Sequence, residues 1–348
     1  MIFPAILRIS VMSKFDIQQI PPNRHVKQRY GFDNIIAENP SMREILESVK
    51  RIAASDASPV LIQGESGTGK DLIAHVIHYE SRRTQCPFMV VNCAALPHYL
   101  VEIELFGQER QSSTDARRLK RGQFELANGG TVYLDEINEL DLGLQAKLMG
   151  FFETKSSKRF GETNDVVVDV RTIVATSADL ERVVQTGDFR QDLYSILKAD
   201  SICIPPLRNR RDDIIPLVKY YVDYYSKEFG KRAAQISPEA EKAFLQYDWP
   251  GNVRELRNIV ERTVLLETGN TIALETLPAD LLMKPATLSP LNLDIEIPDS
   301  GLPLEQVERF LLTKTLEKCN HNHAQAAKIL LISRDTLRSL MKKHDLLW

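Results

Sequence analysis

The sequence predicts an α/β domain built on a parallel sheet, followed by a helical subdomain and a small all-helical domain at the carboxyl end. Between residues 35 and about 204, short β-rich runs alternate with amphipathic helical patterns, as in parallel sheets covered by helices. Beyond Pro205 and Pro206 the pattern becomes wholly helical. Residues 283–302 hold three prolines and a glycine, and they predict a linker before the last helical segment.

The predicted elements follow in order along the chain. Strands are predicted where short apolar runs are rich in β-branched or aromatic residues, at Val60–Ile62, Phe88–Val91, Thr131–Leu134 and Val170–Thr176. Helices are predicted over residues 212–229, from Ser237 with Pro238 in the first turn, and over residues 252–267. The resulting divisions are an N-terminal extension (1–33), an α/β subdomain (34–206), a helical lid (207–282), the linker (283–302) and a last domain (303–348).

Composition excludes several classes of protein. The chain has 348 residues, 43% of them hydrophobic and 26% charged, as expected for a globular protein of two or three domains. Its apolar runs are far shorter than the roughly 20 residues that cross a bilayer, so no membrane contact is predicted. Four scattered cysteines disfavour disulfides and zinc and predict a cytoplasmic location. The net charge of -3 confines any nucleic-acid contact to one patch.

A glycine-rich segment between the first predicted strand and a helical pattern predicts a phosphate site. Its residues are Gly64, Glu65, Ser66, Gly67, Thr68, Gly69, Lys70 and Asp71. Glycines let the backbone curl so that N–H groups face phosphate oxygens, while the lysine and the helix N-terminus add positive charge. Asp71 stands where most such loops place a hydroxyl on Mg²⁺, and its carboxylate can still meet the shell of that ion. The alternative is a glycine-rich turn without a ligand.

Two carboxylates end the third predicted strand. Asp135 and Glu136 follow the apolar run Thr131–Leu134, about 65 residues after the glycine-rich segment. An apolar run followed by two acids is a weak signal alone, but downstream of a phosphate loop it becomes strong. Such a strand would bring Asp135 beside a metal ion and Glu136 to a position that orients an attacking water.

Several further motifs occur in a fixed order around these residues. They are Val91–Leu96, Glu104–Gly107, Gly129–Thr131, Pro205–Arg208 and Trp249–Leu256. Together with the phosphate loop and the two carboxylates, they resemble the AAA+ domain of the bacterial enhancer-binding proteins, the sigma-54-dependent activators. The match runs from about residue 32 to residue 282. The resemblance implies an AAA+ P-loop NTPase fold that binds ATP with Mg²⁺ at subunit interfaces of a ring, commonly a hexamer.

The resemblance also implies roles for individual residues of the phosphate site. Lys70 would hold the phosphates, Asp135 and Glu136 would form the Walker B pair, and Asn92 would be the partner that switches Glu136. Asp71 and Asp135 would meet the magnesium ion through ATP.

A threonine and two arginines complete the implied site. Thr176 would be sensor I, Arg190 an arginine finger acting on a neighbouring subunit, and Arg254 sensor II. Each arginine would bring a fixed cation to the γ-phosphate, whereas a surface ion pair is the alternative for either. Ile196 stands where the family has a second arginine, and Ser177 where it has an asparagine. Loss of a trans-acting cation costs on the order of 10³-fold or more, so we expect nucleotide binding with weak hydrolysis.

A further departure concerns the loop that grips sigma-54 in the family, whose sequence is GAFTGA. Residues 111–116, which occupy its place, read Gln-Ser-Ser-Thr-Asp-Ala. Ser113 lacks the aromatic area that makes a buried contact at a loop tip, and Asp115 adds a charge and removes backbone freedom. The sequence therefore predicts a regulator that acts without sigma-54.

Residues 303–348 predict two helices, a short turn and a third helix, and they resemble the Fis-type helix-turn-helix that closes the same activators. In that geometry the last helix enters the major groove of double-stranded DNA. The side chains expected at bases or phosphates are Ser333, Arg334, Thr336, Arg338, Ser339, Lys342 and Lys343. Between Lys328 and Lys343 there are five basic residues and one acid, which favours DNA over the alternative, a helical bundle for protein contacts.

These features favour a sequence-specific DNA-binding transcriptional regulator whose ATP-binding core controls its assembly. Its expected partners are double-stranded DNA, RNA polymerase and further copies of the chain, from a dimer to a hexamer. Two alternatives stay open: an active ATPase that remodels sigma-54 RNA polymerase, and a P-loop remodeller or chaperone outside transcription. No receiver-sized domain fits within residues 1–33, and the sequence reveals neither the input signal nor the target promoters.

Overall fold

The computed structural model describes the chain in two compact units, residues 1–286 and 287–348. The described residues are 19–20, 30–32, 35–108, 120–158, 165–232, 235–267, 269, 271–278, 281, 304–319, 322–330, 334–344 and 346. The predicted linker, the loop of residues 111–116 and the predicted turn of residues 331–333 lie outside them.

A six-stranded sheet forms the centre of the first unit. The strands of the chain are β1 Gln19–Ile20, β2 Val60–Gln63, β3 Phe88–Asn92, β4 Gly107–Gln108, β5 Lys120–Arg121, β6 Thr131–Asp135, β7 Ser156–Lys158, β8 Asp165–Val167, β9 Arg171–Thr176, β10 Ser201–Cys203, β11 Gln235–Ile236 and β12 Thr271–Ile272. The sheet has the order β1-β3-β6-β9-β2-β10, and β1 is its only antiparallel member among the described strands.

All four predicted strands are confirmed, as β2, β3, β6 and β9, each within one residue at either end. Their side chains are almost all buried, since helices cover both faces of a parallel sheet. The edge strands β1 and β10 were not predicted. β1, which pairs with β3, lies in the N-terminal extension, whose sequence pattern is irregular. Its two residues are too few to show the alternation typical of a strand.

Helices of the first unit cover the sheet and form the lid, and further helices make up the second unit. They are α1 Pro40–Ala54, α2 Lys70–Tyr79, α3 His98–Phe106, α4 Gln123–Leu126, α5 Leu142–Thr154, α6 Leu180–Thr186, α7 Gln191–Lys198, α8 Ile214–Glu228, α9 Pro238–Gln246, α10 Asn252–Leu266, α11 Leu304–Lys318, α12 His323–Ile329 and α13 Arg334–Lys343. The predicted lid helices are confirmed as α8, α9 and α10. Ser237 caps α9 as its sequence predicts, because its hydroxyl accepts a hydrogen bond from the Ala240 N–H at 3.2 Å.

The lid has a core of its own, centred on Trp249. This side chain is fully buried, and its indole N–H donates to the Phe244 carbonyl at 2.9 Å. The second unit is the predicted three-helix domain, with α11, α12 and α13 around a small apolar core. The buried members of that core are Leu312, Leu316, Cys319, Ala326, Ala327, Leu337, Met341 and Leu346.

His78, on α2, is fully buried against the sheet. Its Nδ1 lies 2.9 Å from the Thr131 hydroxyl, and its ring centre lies 5.0 Å from that of Phe88. Burial strips water from the charged ring and lowers the pKa of His78 from 6.5 to about 3. The folded protein therefore keeps this histidine neutral under conditions in which the unfolded chain protonates it.

We expect the free energy of unfolding to fall as the pH drops below 6.5, because the unfolded chain then binds a proton that folded His78 accepts only near pH 3. The loss is about 1.4 kcal/mol per pH unit, so this residue alone should cost about 2 kcal/mol at pH 5. His78→Gln should remove that part of the pH dependence. His98→Gln, on an exposed histidine, should retain it. Urea unfolding at pH 7 and pH 5 measures both, and equal pH dependences of wild type and His78→Gln would contradict the assignment.

Candidate nucleotide-binding site

The predicted phosphate site lies at the carboxyl edge of the parallel strands. The glycine-rich loop joins β2 to α2, while Asn92, Asp135 and Thr176 end the neighbouring strands. Asn92 pairs in register with Asp135, and Gln63 pairs with Thr176. Ligands of open α/β sheets bind at this edge, so the fold brings the predicted residues of the site together.

The glycine-rich loop has the conformation that its glycines allow. Gly67 and Gly69 have left-handed backbones, with φ of 81° and 107°. A side chain at Gly67 would also overlap the Gly251 carbonyl of the lid. Lys70 begins α2 and is only 6% exposed, and its ammonium donates to the Gly64 carbonyl at 2.9 Å. The predicted phosphate-binding lysine is thus held inside the curl of the loop.

Two carboxylates and a phenol meet beside the loop. The Tyr133 hydroxyl lies 2.8 Å from Asp71 Oδ1 and 3.2 Å from Asp135 Oδ1, so it bridges the two predicted magnesium ligands. Burial, with the charges of Asp71 and Glu136 close by, raises the pKa of Asp135 to about 6. A divalent cation would relieve this crowding of negative charge, and its preferred ligands are oxygens.

The second carboxylate of the Walker B pair has a partner that the sequence did not predict. Glu136 Oε2 accepts hydrogen bonds from both the backbone N–H and the hydroxyl of Ser177, each at 2.8 Å. Asn92 is predicted as the partner that switches Glu136, and no hydrogen bond joins the two side chains among the described residues. Asn92 Oδ1 instead accepts from the Ala94 N–H at 2.9 Å, because the chain turns just after β3.

Thr176, the predicted sensor I, is fully buried at the end of β9. Its hydroxyl donates to Asn138 Oδ1 at 2.6 Å and accepts from the Ala178 N–H at 3.0 Å. These bonds fix the turn that carries Ser177. Thr176 therefore lies beside the Walker B segment, with its hydroxyl bound within the protein.

The phosphate loop is bonded to the first turn of the lid helix α10. The Gly67 carbonyl accepts from the N–H groups of Val253 and Arg254, at 3.0 and 3.3 Å. The first N–H groups of a helix have no partner within the helix, and here a loop carbonyl takes that place. We call these two bonds and the side-chain bonds in the next paragraph the lid contact.

Side chains reinforce the lid contact. Arg208 binds Glu65 through both carboxylate oxygens, at 2.8 and 2.5 Å, and this pairing lowers the pKa of Glu65. The buried Asn252 donates to Glu65 and to the Ser66 carbonyl, both at 3.1 Å, and accepts from the Leu207 N–H at 2.7 Å. One amide thus joins the loop, the segment that enters the lid and the start of α10.

The two predicted functional arginines are exposed or half-exposed, and both are engaged within the chain. Arg254, assigned as sensor II, donates to the Ser66 hydroxyl at 2.8 Å. Arg190, assigned as an arginine finger, caps α7 and binds Asp192 through both carboxylate oxygens. Ile196, which replaces the second arginine of the family, packs against the core of the sheet. An apolar residue at this position is therefore accounted for by packing.

In the second unit, all of the predicted DNA-binding residues except Ser333 lie on α13. Arg334, Thr336, Arg338, Ser339, Lys342 and Lys343 belong to this helix, and Ser333 lies outside the described residues. Lys342 is exposed, whereas Lys343 binds Glu308 of α11 at 3.0 Å and shares it with His344. The packing thus brings an acid to the basic helix end, which reduces the local charge excess.

Three family models together cover most of the chain. Residues 35–203 match the sigma-54 interaction domain, residues 208–292 the AAA+ ATPase lid domain, and residues 303–344 the Fis family of bacterial regulatory proteins. The regulatory protein AtoC of Escherichia coli strain K12 is 41% identical over 335 residues, which are 93% of this chain and 71% of AtoC. The chain belongs to the sigma-54-dependent family of bacterial transcriptional regulators. The predicted resemblance, the AAA+ fold and the Fis-type domain are confirmed.

Further relatives agree with this family. The transcriptional regulatory protein ZraR of Klebsiella oxytoca is 40% identical over 309 residues, which are 89% of this chain and 68% of ZraR. Crystal structures of NtrX from Brucella abortus in complex with ADP and with ATP are 31% and 30% identical, each with a TM-score of 0.66. They match 89% of this chain, and the match covers 68% and 69% of their own length. In the part of the chain that the structure describes, no helix could span a bilayer.

Sequence reasoning missed Tyr133, Ser177, Arg208 and Asn252 as members of the site. Arg208 and Asn252 lie inside the recognised motifs, and a polar residue in such a motif is a signal that could have been followed. Ser177 was noted only as a departure from the family. Tyr133 had no signal, because a tyrosine in an apolar strand is most simply explained as part of the core.

Gly67→Ala should disrupt both the phosphate loop and the lid contact. The new methyl group would overlap the Gly251 carbonyl, which is part of the backbone and cannot rotate away. Residue 67 also has a left-handed backbone, with φ of 81°, which alanine adopts only with strain. We expect the affinity for ATP to fall at least about tenfold and the protein to lose about 1–3 kcal/mol of stability. Gly150→Ala, in the middle of α5 with open space around it, should leave the affinity unchanged and add about 0.5–1 kcal/mol. Titration with ATP and urea unfolding test both variants, and wild-type affinity in Gly67→Ala would refute this geometry.

Proposed function

We propose that this chain is a sequence-specific DNA-binding transcriptional regulator whose AAA+ core binds ATP, and that the bound nucleotide controls how copies of the chain assemble. The observation that carries the proposal is the lid contact, in which the Gly67 carbonyl binds the first turn of α10. A phosphate group held by the loop must act on that helix, because loop and lid share these bonds.

Nucleotide binding is supported by the loop conformation and by the buried Lys70. The NtrX structures carry ADP and ATP on a related fold. Asp71 and Asp135 fit a magnesium ion, because Tyr133 holds their carboxylates close together. No cluster of three His, Cys, Asp or Glu side chains suited to a metal occurs among the described residues. The remaining ligands would then be phosphate oxygens and water, as is usual for Mg²⁺.

The same geometry suggests how each side chain would act. Lys70 would neutralise phosphate charge, and Arg254 would turn from Ser66 toward the γ-phosphate when the loop is filled. Arg190, half-exposed at the start of α7, would act on ATP held by a neighbouring copy. Arg190 would have to leave Asp192 to reach that ATP, so ATP binding and assembly would depend on each other.

Independence from sigma-54 is also part of the proposal. Its support is the sequence of residues 111–116, in which the aromatic residue and both glycines of the family loop are missing. DNA recognition would lie with α13, where the exposed Lys342 would contact phosphate. Assembled copies would present several such helices at once, which raises the apparent affinity for spaced half-sites.

The proposal is tested by sedimentation velocity of the full chain with and without MgATP, in parallel with capture and sequencing of genomic DNA fragments from the native host. We expect MgATP to increase the assembled fraction and the recovery of specific fragments. Lys70→Ala should lose both effects and most ATP affinity, while Lys50→Ala, on an exposed lysine of α1, should behave as wild type. Assembly and DNA recovery that do not change with MgATP would refute nucleotide control.

A second candidate is an ATPase that remodels sigma-54 RNA polymerase. The observation in its favour is the match of residues 35–203 to the sigma-54 interaction domain. Transcription in a purified system with sigma-54 polymerase separates the two candidates. Open-complex formation that is lost in Glu136→Gln would favour the second.

A further inference from the structure

Ser177 holds one oxygen of the Walker B glutamate and leaves the other facing the phosphate site. Glu136 Oε2 accepts both Ser177 bonds, whereas Oε1 lies 3.9 Å from the ammonium of Lys70. The Glu136 side chain is 20% exposed, and Ser177, which holds it, is exposed at the rim of the site. Hydrogen bonds to an ionised carboxylate are stronger than those between neutral groups.

The backbone of Glu136 shows that its orientation is imposed by its surroundings. Its φ of 52° lies in the left-handed region, which residues with a side chain rarely adopt. Such a conformation persists where neighbouring contacts determine it, and it occurs often at functional sites. The contacts at Glu136 include the two bonds from Ser177 on its side chain and a bond from the Glu139 N–H to its carbonyl at 3.1 Å, while Asn92 Oδ1 is bonded to the Ala94 N–H.

We propose that Ser177 is a positioning residue for ATP hydrolysis, whose hydroxyl fixes Glu136 so that Oε1 faces the attacking water. The inference rests on the proposed ATP site. In hydrolysis the water oxygen bonds to the γ-phosphorus, and the bond from phosphorus to the β–γ bridging oxygen breaks. Glu136 takes one proton from the water, which leaves ADP and inorganic phosphate. Ser177 touches neither ATP nor water and acts only through Glu136.

This assignment differs from the one that the family resemblance implies. There, Asn92 partners the glutamate, and an asparagine stands at the position of Ser177. In this chain the hydroxyl and the backbone N–H of Ser177 both donate to the same oxygen of Glu136, Oε2. Removing the hydroxyl leaves the N–H in place, so Glu136 keeps one of the two bonds and becomes less restrained.

The test compares wild type with Ser177→Ala and Ser177→Thr in the full chain with Mg²⁺. Three quantities are measured: the dissociation constant for ATP, kcat and KM for hydrolysis, and the affinity for ADP with aluminium fluoride, which mimics the transition state. For Ser177→Ala we expect kcat to fall about tenfold or more, with weaker aluminium fluoride binding and ATP affinity within about twofold of wild type. Ser177→Thr keeps a hydroxyl and should recover most of kcat.

A matched control is Ser48→Ala, whose hydroxyl is half-buried on α1, donates to the Glu44 carbonyl and accepts from Arg51 in the same helix. It should leave all three quantities unchanged. A merely structural role for Ser177 would lower ATP affinity together with kcat, and that result would overturn the proposal. So would wild-type kcat in Ser177→Ala, or a wild type that binds ATP without turning it over. Absence of ATP binding in wild type would refute the proposed function itself.

Discussion

The structure of the AAA+ core depends on the Gly67 carbonyl, which belongs to the phosphate loop and caps the lid helix α10. Gly67 accepts hydrogen bonds from the first turn of α10, so the phosphate loop and the lid are parts of one hydrogen-bonded arrangement. The constraint explains why residue 67 must be glycine, since any side chain would overlap the lid backbone. It also explains why Asn252 is buried, because its side-chain amide forms hydrogen bonds both with the phosphate loop and with the segment that enters the lid. A ligand that moves the loop must therefore move or strain the lid.

Charged side chains of both signs lie around the phosphate loop. Lys70 lies within the curl, Asp71 follows it on α2, and Asp135 and Glu136 lie at the edge of the sheet. Burial, together with the charges of Asp71 and Glu136, raises the pKa of Asp135 to about 6, and a metal ion bound with a triphosphate would offset this negative charge. Arg190 and Arg254 are paired with nearby side chains, so nucleotide and neighbouring subunits would compete with these existing partners.

The sequence was sufficient for the four inner strands of the sheet, the phosphate loop and the lid helices, because each has a local signal. Apolar runs gave the strands, and glycines between a strand and a helix gave the loop. The contacts that assemble the site have no such signal. Asn252 meets Glu65 across 187 residues, and Ser177 meets Glu136 across 41 residues, so both depend on tertiary packing. The resemblance implies Asn92 as the partner that switches Glu136, and in the structure Asn92 Oδ1 accepts from the Ala94 N–H in the turn after β3.

Hydrogen exchange of the Val253 and Arg254 amides tests the lid contact most directly. First-turn amides of a helix normally exchange fast, since they have no partner within the helix. Bonded to the Gly67 carbonyl, they should exchange as slowly as amides in the middle of α10, and ATP should change their rates. Fast exchange of both amides, unaffected by ATP, would show that loop and lid are not joined, and the account would fail.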